Sequence, residues 1–275
     1  MPTNLKVFFA SVLSKVLIFL FGKVKFKKIN NINFKLDLSE GIDLRLFLNF
    51  IEEKDLYLSL KKIFSINKKY SFIDIGANIG SVSLNLVNIF VRSKIISVEP
   101  TFFAFEKLKK NTDLNKKLKK RVKLLNLFVA NNKKFNKFTY SSWKLDFNKN
   151  SHPIHKGVLK KSSNKQKTLN QIIKMIGKVD FIKIDTDGNE FQVLLSGKEQ
   201  IKKFNPIIHM EVAPYLFKEN GFSANKLINF IKKDLNYLFY DEKLNKIENI
   251  KEYINKIGNF SKNTFLINSK FDFAK

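Results

Sequence analysis

The chain has 275 residues, room for one large α/β domain with additions, and its 44% hydrophobic content with 29 Phe excludes global disorder. It has no Cys, which excludes disulfides, thiolate nucleophiles and Cys-ligated zinc and fits a reducing, cytoplasmic setting. The formal charge of +27 suits a polyanionic partner, but Arg45, Arg92 and Arg121 are the only arginines, a poor set for reading bases or clamping phosphates, so nucleic acid is not the expected partner.

Residues 5–21, LKVFFASVLSKVLIFLF, repeat apolar side chains at helical spacing. The run is interrupted by Lys15, falls short of the ~20 apolar residues of a membrane span, and lacks a clear small-residue cleavage site. Two readings stay open. The helix packs on the domain, which is the leading expectation, or it makes peripheral membrane contact through residues 5–28, helped by Lys23, Lys25, Lys27 and Lys28. Residues 32–64 read as a short strand, a turn at Ser39–Gly41 and helical pieces, so 1–69 forms an N-terminal helical lead-in and 70–275 the main domain.

From residue 70 the pattern alternates. Strands are expected at 70–76, 94–100, 121–130, 179–185 and 206–213, with helices at 79–91, 101–118, 189–203 and 223–234 between or after them. Segments 236–241 and 263–269 read as late strands that close the sheet. Apolar strands alternating with amphipathic helices imply an α/β fold with a mostly parallel, doubly wound sheet and helices on both faces. Residues 131–167 break the rhythm as a long loop holding Trp143, His152 and His155.

The stretch FIDIGANIGS (72–81) runs from the first of these strands into its helix. Gly76 and Gly80 permit a sharp turn and close approach of a ligand, Asn78 tolerates unusual backbone angles, and Asp74 ends the strand. The spacing misses the G-x-G-x-x-G of dinucleotide sites, and no P-loop pattern is present. Glu99 ends the next strand, where a carboxylate can accept from both ribose hydroxyls. An adenosyl ligand without a pyrophosphate fits this pair of features, namely S-adenosyl-L-methionine. Ser81 at the helix start, Pro100 beside Glu99, and Val129 and Ala130 after the third strand complete the expected cofactor set, with adenine lying against the last two.

These segments resemble the FkbM-type methyltransferases. The resemblance covers residues 70–213 and is carried by FIDIGANIGS, SVEP (97–100), LKKNTDLN (108–115), KTLNQII (167–173), DFIKIDTDGNEFQVLLSG (180–197) and PIIHMEV (206–212). It implies a Rossmann-like methyltransferase fold, S-adenosylmethionine as donor, and usually O-methylation of a hydroxyl on a sugar, glycolipid or polyketide. The family's acidic-Gly-Ala-Glu run appears here as Asp187-Gly188-Asn189-Glu190, a change on the acceptor side.

Methyl transfer to a neutral hydroxyl benefits from a positioned base. Asp185 lies at a strand's carboxyl end with Asp187 and Glu190 just beyond, and Glu211 ends the next strand with His209 two residues earlier. Asp185, Glu211 and Glu190 are the candidate catalytic carboxylates, as bases or as ligands of a cation, although no fixed ligand spacing points to a metal. Asp187, Asn189 and Thr168 suit helix caps instead.

Overall fold

The computed structural model describes residues 3–50, 53–131, 138–141 and 157–273. Helix α1 (Thr3–Phe21) leads into a hairpin of β1 (Val24–Ile29) and β2 (Ile32–Asp37), followed by α2 (Gly41–Phe47) and α3 (Lys54–Ile63). Strand β1 lies where the sequence shows only lysines alternating with apolar residues. Asn30 and Asn31 turn the hairpin in left-handed conformations that asparagine tolerates. The inward residues Ile32, Phe34 and Leu36 share one core with Leu56, Leu60, Phe72 and Leu84, so the lead-in is no separate packing unit.

The central sheet follows. It contains β3 (Ser71–Ile75), β4 (Lys94–Val98), β5 (Val122–Leu125), then β10 (Phe181–Ile184), β11 (Ile207–Val212), β12 (Tyr237–Tyr240) and β13 (Lys262–Asn268). Their spatial order is β12-β13-β11-β10-β3-β4-β5. The five strands β11-β10-β3-β4-β5 are parallel, and β13 and β12 extend the edge antiparallel. Chain order reverses between β3 and β10, the switch point where open α/β sheets bind ligands beyond their carboxyl ends.

Between the strands run α4 (Ser81–Ile89), α5 (Phe102–Asp113) and α6 (Lys116–Lys119). The helix expected over 101–118 breaks before Lys116 because Asn115 uses its amide to pin β2: its Oδ1 accepts from Asn33 N at 2.9 Å and its Nδ2 donates to Asn33 O at 2.8 Å. The strand expected over 121–130 also splits. Asn126 Nδ2 donates to Glu99 O and Pro100 O, and the chain turns there into the short β6 (Phe128–Val129).

Part of the expected 131–167 loop is a hairpin of β7 (Phe138–Ser141) and β8 (Val158–Lys161), and β9 (Gln166–Lys167) pairs with β6. Trp143, His152 and His155 lie outside the described residues. Helix α7 (Leu169–Ile176) starts at a capping box in which Thr168 Oγ1 accepts from Gln171 N at 3.1 Å and Gln171 Oε1 accepts from Thr168 N at 3.0 Å. The helix expected over 189–203 is two, α8 (Glu190–Ser196) and α9 (Lys198–Phe204), divided at Gly197. A Cβ on Gly197 would stand 2.6 Å from Leu169, so glycine lets α7 approach. Helix α10 (Pro214–Glu219) follows β11, α11 (Ala224–Asn229) passes into a π-helical turn over Phe230–Asp234, and α12 (Ile250–Ile257) precedes β13.

Two apolar layers flank the sheet. Ile182, Ile184, Ile208 and Met210 face α7, α8, α11 and α12, while Phe72, Phe181 and Phe265 face the hairpin, α3 and α4. Period-two alternation in fully buried strands divides the residues this way.

Helix α1 packs on the domain through one side, where Ser14 meets Leu38 O and Phe21 meets Phe47, while Phe8, Phe9, Val12, Val16, Phe19 and Leu20 stay exposed. Among its described side chains only Ser11 and Ser14 are buried, and Ser14 Oγ donates to Leu38 O at 2.7 Å. Among the described residues no helix is long and apolar enough to cross a membrane.

Candidate active site

Strand β3 delivers Asp74 and then the turn at 76–80. Gly76 N and Ala77 N both donate to Val98 O, at 2.9 and 3.0 Å, tying the turn to the end of β4. Gly76, Asn78 and Gly80 all take positive φ, at 84, 47 and 88°. At Gly76 the requirement is absolute. A Cβ there would lie 1.7 Å from the Asp185 carbonyl oxygen, so the turn rests directly on the end of β10.

Asp74 is fully buried. Its Oδ2 accepts from Ser83 Oγ at 2.6 Å, which in turn accepts from Ser97 Oγ at 2.7 Å, while its Oδ1 has no partner. Burial raises its pKa against the opposing pull of Lys183. Asn78 Oδ1 is likewise buried without a partner.

Glu99 sits under the turn and uses its carboxylate locally. Oε2 accepts from Asn78 N at 3.0 Å, and Oε1 accepts from Thr101 N at 2.9 Å and Thr101 Oγ1 at 2.6 Å. Burial raises its pKa, and the Thr101 and Asn78 donors oppose that rise. A carboxylate offers about four acceptor sites, so one remains for a ligand donor. Ser81 opens α4 and is buried. Pro100 O accepts from Ser163 N at 2.8 Å.

Val129 and Ala130 are buried at the end of β6. Their carbonyls accept from Asn189 Nδ2 at 3.1 Å and Gln166 Nε2 at 2.7 Å, and Ala130 N donates to Lys167 O. Side chains from α8's start and β9 thus take up both carbonyls, and Val129 and Ala130 form a buried apolar wall.

Beyond β10 and β11 the carboxylates gather. Ile184 pairs with Met210, so Asp185 and Glu211 emerge one residue later, side by side. Asp185 Oδ2 is held by Lys183 Nζ at 2.7 Å, and Asp185 N donates to Ile75 O at 3.0 Å. Burial raises the pKa of Glu211 well above the usual carboxylate range, reinforced by the charges of Asp185, Glu190 and Asp187. Burial, with the charges of Asp185, Glu190 and Glu99, pushes Asp187 up to about 8; its side chain still opens to solvent, which tempers that shift.

Glu190 is committed to its own loop. Its Oε1 accepts from Thr186 N at 2.8 Å, Thr186 Oγ1 at 2.9 Å and Gly188 N at 3.2 Å. Neither Asn189 nor Asp187 caps α8 with its side chain: Asn189 stands at the N-cap without a side-chain cap bond, and Asp187 lies two residues earlier with a left-handed φ of 50°.

Two residues here escaped sequence reasoning. Lys183 is only 3% exposed and pairs in register with Asp74 on one side and His209 on the other. Burial alone would lower its pKa, but Asp185, Glu53 and Asp74 outweigh it and hold the ammonium charged. The signal was present as a lysine inside the apolar strand FIKI. Tyr215 in α10 is half-buried beside Glu211, Asp187 and Glu190; burial first and those charges second raise its pKa.

His209 does not reach the carboxylate cluster's mouth. It is buried edge-on to Phe265 at 4.7 Å, neither nitrogen has a hydrogen-bond partner, and burial with the Lys183 charge lowers its pKa to about 3. Among the described residues Glu53, His209 and Glu242 bring ligand-capable atoms within 4.8 Å of one another. Asn263 Nδ2 already donates to both Glu53 oxygens at 3.2 Å, and Lys183 supplies positive charge nearby, so protein groups serve this cluster.

The sequence profile described as Methyltransferase FkbM domain matches residues 74–239. The chain belongs to the FkbM methyltransferase family. Its cofactor is therefore S-adenosylmethionine. The methyltransferase FkbM structure from Methylobacillus flagellatus KT is 15% identical, with TM-score 0.46, over 74% of this chain and 44% of that one. The present chain thus spans less than half the length of that FkbM structure. TYW2 of M. jannaschii in complex with AdoMet is 13% identical, with TM-score 0.42, over 89% and 84% of the two chains. The METTL16 methyltransferase domain is 11% identical, with TM-score 0.47, over 97% and 99%. No curated protein matches the chain.

The FkbM site fits its cofactor. The turn at 76–80 lies at the switch point, and two buried acceptors beside it, Asp74 Oδ1 and Asn78 Oδ1, lack donors.

Proposed function

We propose that this methyltransferase transfers the methyl group to a hydroxyl oxygen of a glycan, glycolipid or related metabolite. The observation that carries the reading is the pairing of Asp185 with Glu211 at adjacent strand ends, directly against the Gly76 turn. Bound at that turn, S-adenosylmethionine supplies a methyl carbon activated by its sulfonium. Asp74, Gly76, Asn78, Gly80 and Ser81 hold its methionine part, Glu99 takes one ribose hydroxyl through its remaining acceptor site, and Pro100, Val129 and Ala130 wall the adenine.

Asp185, fixed by Lys183, orients the acceptor hydroxyl. Glu211, whose raised pKa makes it the stronger base when ionised, takes the hydroxyl proton as the O–CH3 bond forms and the C–S bond breaks. Glu190 is a positioning residue that shapes the 186–190 loop. A nucleic-acid acceptor, the alternative suggested by the +27 charge, has less support because only Arg45, Arg92 and Arg121 offer the guanidinium forks suited to phosphates and bases.

Calorimetry with S-adenosylmethionine and S-adenosylhomocysteine tests the cofactor half. Wild type is expected to bind both, and Glu99→Gln to bind about tenfold or more weakly through loss of a charge-assisted hydrogen bond. Methyl transfer from labelled cofactor to glycan and glycolipid fractions tests the acceptor half. Label appearing only in RNA would replace the hydroxyl reading with the nucleic-acid one.

A further inference from the structure

Helix α1 is attached the wrong way round for a core helix. Successive residues on an α-helix are about 100° apart, which places Phe8, Phe9, Val12, Val16, Phe19 and Leu20 within an arc of about 120°. All six are exposed, Phe19 to 89%. The opposite side carries the buried Ser11 and Ser14, with Ser14 bonded to Leu38 O. The protein therefore anchors this helix along the side of Ser11 and Ser14, with Ala10, Leu17 and Ile18 half-buried beside them, and presents the side of Phe8, Val12, Val16 and Phe19 outward. The following strand does the same, with Phe26 66% and Val24 46% exposed.

An outward apolar stripe of this size on a folded chain marks a contact surface. The charge around it selects the contact. Seven lysines and no acidic residue precede Asp37. Lys15 sits at the edge of the apolar arc, and Lys23 and Lys28 are exposed just beyond the helix. A second copy of the chain covering this face would bring two such lysine sets together across a two-fold axis, an arrangement that like charge opposes. An anionic bilayer meets both features, since acyl chains receive the aromatic stripe and headgroups receive the ammonium groups. Span length agrees, because no described helix suits a crossing while an interfacial helix needs none.

We infer that α1 and β1 form an interfacial anchor that seats the protein on an anionic lipid surface, the helix lying in the plane of the membrane with Phe8, Val12, Val16 and Phe19 immersed. The anchor stands independently of the proposed reaction.

Flotation of the full chain with vesicles of phosphatidylcholine, with and without phosphatidylglycerol, tests it. Wild type is expected to float with the anionic vesicles and to be released by salt. Val16→Glu/Phe19→Glu, which changes two outward side chains, is expected to lower partitioning at least tenfold while S-adenosylmethionine binding by calorimetry stays unchanged. Lys25→Glu/Lys28→Glu is expected to lose binding to anionic vesicles too, and it keeps the test open if the first variant unfolds. Wild type that stays unbound with anionic vesicles, or a folded Val16→Glu/Phe19→Glu variant that floats like wild type, overturns the anchor. So does a wild-type dimer on size exclusion that this variant converts to monomer, since a second copy would then cover the face. Vesicle binding without cofactor binding would leave the anchor standing and remove the catalytic proposal alone.

Discussion

Replacing Gly76 with alanine separates steric from conformational demands at the 76–80 turn. The added Cβ would lie 1.7 Å from the Asp185 carbonyl oxygen and 2.8 Å from its carbon. A tolerated C···O contact is about 3.3 Å, so the two chain segments must part by roughly 1.6 Å. That movement breaks the Asp185 N to Ile75 O hydrogen bond at 3.0 Å. Left-handed φ costs an alanine about 1–2 kcal/mol, the lost bond about 1, and overpacking about 1–3, giving roughly 3–6 kcal/mol in all. Gly177 provides the control: its φ is 87° against 84° at Gly76, and a Cβ there meets nothing within 4 Å. Gly177→Ala, at φ 87° and ψ −79°, should therefore cost only backbone strain, about 1–3 kcal/mol. Urea denaturation followed by circular dichroism measures both, and Gly76→Ala is also expected to abolish S-adenosylmethionine binding. Equal destabilisation of the two variants, within about 1 kcal/mol, would refute the claim that Gly76 is required by its contact with Asp185.

Burial pushes the Asp43 carboxyl up to about 6 despite its pairing with Lys107. The folded state therefore holds this proton more tightly than the unfolded chain, whose value is 3.8, and the stability this lends is full below pH 3.8 and lost as pH rises through 6. Between those limits wild type should lose about 3 kcal/mol relative to Asp43→Asn, which does not titrate; parallel stability–pH curves would contradict this. Thr168→Ala removes one half of the α7 capping box and should destabilise by about 1 kcal/mol in urea melts, with cofactor affinity intact. Asp185→Asn should lower methyl transfer by about 100-fold or more while binding cofactor as wild type does; undiminished turnover would remove Asp185 from the reaction.

The sheet and the glycine turn at 76–80 were legible because each is written in consecutive residues. Apolar runs such as SFIDI and FIKI announce strands covered on both faces, and the spaced glycines of IGANIG announce a turn whose backbone angles other residues resist. Glu99 was legible as the next strand's terminal acid. What each acid does was not, because a carboxylate's role depends on the donors that reach it from elsewhere. Glu190 is taken up by Thr186 and Gly188, and Glu99 largely by Asn78 and Thr101. Breaks in expected elements had the same origin: Asn115 and Asn126 stop a helix and a strand by bonding to segments distant in sequence. Periodicity also gave the existence of α1 without its orientation, since a helix apolar almost all round has no preferred inward face until Ser14 finds the Leu38 carbonyl. Local sequence determines backbone preference and the spacing of apolar residues. Which partner satisfies each buried charge, and which side of a helix is left to its surroundings, are settled only when strands far apart in the chain come into register, as Asp74, Lys183 and His209 do across β3, β10 and β11.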